Sequence, residues 1–87
     1  MIIMSKKLPQ ITGLQLIKLF KKDGWVEKRR SKHGMSMYKK INDKFTVVVI
    51  PTKRGVLPDG TLSGILSLKQ SGIGRNGLEK LLNKYKL

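Results

Sequence analysis

Phe45-Thr46-Val47-Val48-Val49-Ile50-Pro51 is the stretch whose reading decides the fold. Its run of β-branched residues, opened by an aromatic and closed by a proline, predicts a strand. Such side chains are stiff at χ1 and suit a pleated, half-buried surface, while proline cannot donate to a ladder. Working upstream, Ile41-Asn42-Asp43-Lys44 reads as a turn and Met35 to Lys40 as a second, loosely alternating strand. Ser31-Lys32-His33-Gly34 reads as another turn, and Trp25 to Arg30 as a strand entered through a buried Trp25. Strands joined by short turns predict an antiparallel meander.

The flanks read as helical. Thr12 is placed as an N-cap, able to accept from backbone donors that have no partner within the helix. After it, Leu14, Leu16, Ile17 and Phe20 fall on or near one face, Lys18, Lys21 and Lys22 fill the rest, and Gly24 supplies a stop. Downstream of Ile50, a loop over 51–59 is punctuated by Pro51, Gly55 and Pro58. A second helix is expected from Asp59 or Gly60 to Lys69, with Leu62, Ile65, Leu66 and Leu68 as its apolar positions. Ser71-Gly72-Ile73-Gly74 breaks it, and a final helix from about Arg75 to Tyr85 packs through Leu78, Leu81 and Leu82. Residues 1–11 form an expected N-terminal arm and residues 12–87 a single domain. The expected class is therefore α+β, in the order α-β-β-β-α with an additional short C-terminal helix. Helices must cover one face of the sheet to bury its apolar side, which leaves the other free to meet a ligand.

Charge points to the kind of ligand. Nineteen Lys+Arg against five Asp+Glu give the 87-residue chain a formal net charge of +14. A surface so one-sided repels itself and attracts polyanions, nucleic acid first among them. The absence of cysteine removes disulfides, thiolate zinc sites and a cysteine nucleophile together. With one histidine and a few dispersed carboxylates, neither a metal site nor a cofactor is expected. The opening Met1-Ile2-Ile3-Met4-Ser5-Lys6-Lys7 lacks the charge-then-apolar order of a signal peptide, and no apolar run is long enough to span a bilayer. A cytoplasmic location and no membrane partner are expected.

Chemistry centres on the first turn. Lys28, Arg29, Arg30 and Lys32 bracket it, Lys39 and Lys40 end the second strand, and Lys53 and Arg54 lie in the long loop. Of these, Arg29, Arg30, Lys32, Lys39, Lys40, Lys53 and Arg54 are the candidate RNA-binding residues: Lys and Arg hold phosphates without reading sequence, releasing counterions as they do so. His33 is the single histidine and the candidate catalytic residue. An imidazole, with an ordinary pKa of about 6.5, exchanges protons near neutral pH without large tuning. RNA carries a 2′-hydroxyl that attacks its own adjacent phosphate, so an imidazole and nearby cations suffice for cleavage without a metal. Tyr38 is a further proton donor or stacking group, and Glu27 and Asp43 are candidates to orient the imidazole.

The chain resembles the HicA family of toxin ribonucleases from about Leu8 to Leu68. The landmarks are Leu8-Pro9 with Thr12-Gly13, then Leu16-Ile17, Phe20-Lys21-Lys22 and Gly24-Trp25. The His-Gly turn and Val47-Val48-Val49-Ile50-Pro51 follow. Leu57-Pro58-Asp59-Gly60-Thr61-Leu62 with Ile65-Leu66 is the most specific match. The resemblance implies a fold like the double-stranded RNA-binding domain and metal-independent cleavage of mRNA. It also implies neutralisation by a cognate HicB antitoxin, whose acidic surface would cover the basic face. Family members place a catalytic histidine three residues before an aromatic; counted from Tyr38 that position is Met35, and His33 stands two residues earlier. Two alternatives stand beside a ribonuclease: a non-catalytic RNA- or DNA-binding module on the same scaffold, and a helix-turn-helix reader of DNA built from the last two helices.

Overall fold

The computed structural model describes residues 10–67 and 70–85. Its elements run α1 (Gly13–Lys22), β1 (Val26–Ser31), β2 (Gly34–Ile41), β3 (Lys44–Ile50), α2 (Asp59–Leu66) and α3 (Gly74–Tyr85). The strands form one antiparallel sheet in the order β1-β2-β3, so the expected meander is present. The expected C-terminal helix is also present, and its 12 residues make it the longest of the three helices. The second helix ends at Leu66 with Ser67 as its C-cap; Leu68 and Lys69, where it was expected to finish, lie outside the described residues. Among the described residues no helix is long and apolar enough to cross a membrane.

Local chemistry sets both ends of α1. Thr12 and Gln15 form a reciprocal capping box: the Gln15 amide donates to Thr12 Oγ1 at 3.2 Å, and the Thr12 amide donates to Gln15 Oε1 at 3.0 Å. Such a cap satisfies backbone donors the helix leaves unpaired and contributes about 1 kcal/mol. At the other end Gly24 takes φ +99°. The Trp25 amide reaches back to the Phe20 carbonyl at 2.9 Å and the Gly24 amide to the Lys21 carbonyl at 3.1 Å. This Schellman closure swings Trp25 onto Phe20, with ring centroids 5.2 Å apart, and so aims the chain into β1. Leu14, read as near the apolar face, is 53% exposed; Leu16, Ile17, Leu19 and Phe20 form the buried stripe.

Register sorts the sheet into two faces, because residues directly opposite one another share a face. Glu27, Met37 and Val48 stand opposite one another, as do Arg30, Met35 and Ile50; this is the side the helices cover. Met37, Val48 and Ile50 are buried there with Leu16, Leu19, Phe20, Trp25, Leu62, Ile65 and Leu78 in a single core. The other face presents Val26, Tyr38 and Val47 in one row, Arg29, Ser36 and Val49 in the next, and Lys40 beside Phe45. The register slips between Glu27 and Arg29, leaving Lys28 as the extra residue of a bulge. At the far hairpin Asn42 and Asp43 both take positive φ, 50° and 66°, the left-handed pair that matches the twist of a two-residue hairpin.

The loop between β3 and α2 is pinned at two points. The Leu57 amide donates to the Ile11 carbonyl at 2.8 Å, and Thr12 forms an isolated antiparallel bridge with Val56. Ile11, expected to end a loose arm, is consequently buried at 2% exposure, and Leu57 is buried beside it. Gly13 approaches the Pro51 carbonyl so closely that a Cβ there would collide with it, which seats the start of α1 against the end of β3.

Candidate nucleic-acid and catalytic groove

Ser31 and Gly34 close the β1–β2 hairpin as partners, which leaves Lys32 and His33 as its two-residue turn. The Ser31 hydroxyl organises that turn, accepting from the His33 amide at 3.2 Å and donating to the Gly34 carbonyl at 3.5 Å. Gly34 has φ +139° and lies against the carbonyl of Ile50, where no Cβ fits. The hairpin tip is thereby held against the end of β3, at the point where Pro51 starts the long loop. His33 is therefore a turn residue rather than a strand residue, and its side chain is exposed.

A groove of about 440 Å³ opens at this end of the molecule. It is lined by Lys32 and His33 of the hairpin and by Lys53, Arg54 and Val56 of the pinned loop. Pro58, the N-cap of α2, and Thr61 in its first turn also line it. Three cations and an imidazole thus face one cleft, although Lys32 and Lys53 come from separate turns of the chain. A cleft lined by one sign of charge concentrates the opposite sign, and a phosphate held there has the imidazole of His33 within the same cavity.

The remaining sequence candidates are distributed differently. Arg29 lies on the open sheet face in the row of Ser36 and Val49, and Lys40 lies on that face beside Phe45. Arg30 is exposed at the β1 edge, in the row of Met35 and Ile50 on the helix side. Lys39 is drawn away altogether: its ammonium donates to the Asp23 carbonyl at 2.7 Å and pairs with the Asp23 carboxylate at 3.2 Å. Neither carboxylate considered as an orienter joins His33. Glu27 pairs with Lys21 of α1 at 3.7 Å, and Asp43 occupies the opposite hairpin. Tyr38 is on the open face, edge-on to Phe45, and not in the groove. Met35, where the resemblance expects a histidine, is partly buried against the core.

Val56, Pro58 and Thr61 line the groove without having been candidate site residues, although Pro58 and Thr61 belong to the stretch that carries the family resemblance. Neither that stretch nor the proline and glycine punctuation of the loop says which groove these residues reach.

A family model described as "HicA toxin of bacterial toxin-antitoxin" matches residues 13–73 of this chain. The chain belongs to the HicA toxin family. The match runs from the first residue of α1 through α2, so every residue lining the groove falls within this HicA region, while α3 lies beyond it. No curated protein and no solved structure matches the chain. Membership places the chain among the toxins of toxin–antitoxin systems and so implies an antitoxin partner.

Proposed function

We propose that this HicA-family chain is a cytoplasmic endoribonuclease that cleaves mRNA without a metal ion, with His33 as general base or acid. One observation carries the reading: His33 lines a single groove with Lys32, Lys53 and Arg54. A phosphodiester seated among the cations would have its 2′-hydroxyl deprotonated by neutral imidazole. The freed oxygen attacks the adjacent phosphorus, the bond to the 5′-oxygen breaks, and that oxygen leaves with a proton from imidazolium or water. The products are a 2′,3′-cyclic phosphate and a 5′-hydroxyl. Lys32, Lys53 and Arg54 would offset the negative charge that gathers on the phosphoryl oxygens. A HicB-type antitoxin with an acidic surface would neutralise the toxin by covering the groove, since complementary charge speeds encounter and suppresses wrong partners.

The test is single-turnover cleavage of a labelled RNA in excess EDTA, comparing the parent protein with His33→Ala. Loss of a proton-transfer group is expected to slow cleavage by roughly 100- to 10,000-fold, with the far-UV spectrum unchanged. Equal cleavage by both proteins would remove His33 from the mechanism.

A second reading, a non-catalytic RNA- or DNA-binding module, is favoured by Met35 standing partly buried where the family resemblance expects histidine. It predicts salt-sensitive RNA binding with no cleavage by either protein.

A further inference from the structure

The sheet face turned away from the helices is chemically unlike the rest of the surface. Phe45 is 67% exposed there, Val26 48%, Val47 44% and Val49 40%. A domain of this size rarely leaves so many large apolar side chains adjacent and uncovered without a ligand to cover them. Tyr38 stands edge-on to Phe45, with centroids 5.8 Å apart. Lys28 joins Tyr38, Phe45 and Val47 around a shallow hollow of about 450 Å³. Around these rings stand the cations of the same face, Arg29 and Lys40 with the bulged Lys28. None of the paired strand positions on this face is a carboxylate, because Glu27 pairs opposite Met37 on the helix side.

We propose that this face is a stacking platform for unpaired nucleotides of RNA, a second binding site continuous with the groove at His33. The proposal rests on the RNA reading above. Exposed aromatic rings among cations are what a single strand requires: every base offers a flat face to stack, and every phosphate a charge to pair. A paired duplex keeps its bases stacked on one another and has no use for Phe45. A second copy of the chain is disfavoured because the face would meet its own positive charge. The exposed Tyr38 and Phe45 rings favour RNA over an acidic protein, because a base stacks on them and a carboxylate does not. Arg29 follows the bulge toward the Lys32-His33 turn, while Phe45 stands beside Lys40 near the other end of β2. The distance along the strand from Gly34 to Lys40 is roughly 20 Å. A strand whose scissile phosphate sits in the groove would on leaving it pass Arg29 and then reach Tyr38, Phe45 and Lys40 on the same face.

Fluorescence anisotropy with a short, labelled 2′-O-methyl oligouridine tests this, since the blocked 2′-oxygen prevents cleavage during titration. Phe45→Ala is expected to weaken single-strand binding on the order of tenfold, and Phe45→Trp to retain it. Leu14→Ala, removing a comparably exposed side chain from α1, should leave it unchanged. Affinity for a blunt RNA duplex should be the same for Phe45→Ala as for the parent. Single-strand affinity of Phe45→Ala within about twofold of the parent would overturn the platform, as would equal losses for single strand and duplex. Polyglutamate binding that falls in step with RNA binding would assign the face to an acidic protein and overturn it too. A protein that cleaves RNA yet ignores Phe45 loses only the platform. One that cleaves nothing but binds single strands through Phe45 loses only the catalytic reading.

Discussion

Lys39 Nζ lies 2.7 Å from the backbone carbonyl of Asp23 and 3.2 Å from its carboxylate, joining the middle strand to the exit of α1. The two side chains are about one-third exposed, so this is a charge-assisted contact screened by water on one side. Lys39→Ala is therefore expected to cost about 1 kcal/mol of stability, visible as a lower urea midpoint. Its effect on RNA affinity should be smaller than that of Lys53→Ala. The reverse ranking would place Lys39 in the RNA interface and break the assignment made from its geometry.

Lys53 and Arg54 carry the complementary prediction. Each lies exposed in the groove wall and is assigned a phosphate. Replacing either with alanine should flatten the dependence of log affinity on log salt by about 0.7 for a single-stranded ligand, because one phosphate fewer is neutralised and its counterion stays bound. Thermal stability should barely move. An unchanged slope would show that the side chain touches no phosphate.

Gly34 tests whether the hairpin tip must sit where it does. Its φ of +139° and its approach to the Ile50 carbonyl leave no room for a methyl group. Gly34→Ala should lower stability by about 2–3 kcal/mol, read as a reduced urea midpoint with an unchanged slope. Because the same contact fixes the turn, cleavage should fall even at temperatures where the variant stays folded. Full activity in a folded Gly34→Ala protein would show that the groove tolerates a displaced His33.

Several features were legible in sequence because they depend on neighbours along the chain. Thr12 read as an N-cap from residue type alone, although its reciprocal partner Gln15 was not singled out, and the β-branched run over 45–50 fits little but a strand. Gly24 before Trp25 marked the end of α1 for the same local reason. The bulge at Lys28 was not legible, since one extra residue in a strand leaves composition and length almost unchanged. Its consequence is large: it puts Glu27 and Arg29 on opposite faces, where strict alternation would have put them on one.

The candidate site divides along the same line. Residue type and turn chemistry determined that His33 stands in a basic hairpin, that Lys53 and Arg54 occupy a loop, and that three antiparallel strands lie between helices. Only the tertiary structure decided which cations meet. Lys53 and Arg54 share a groove with His33 because the Leu57–Ile11 hydrogen bond and the Gly34–Ile50 contact bring two distant turns to one end of the sheet. Lys39 and Lys40 are adjacent in sequence yet part company, one to an ion pair beneath the helices and the other to the open face beside Phe45. A strand sends successive side chains to opposite sides, and the face each cation reaches takes its meaning from what packs there. That partnership spans long stretches of chain, and no local pattern encodes it.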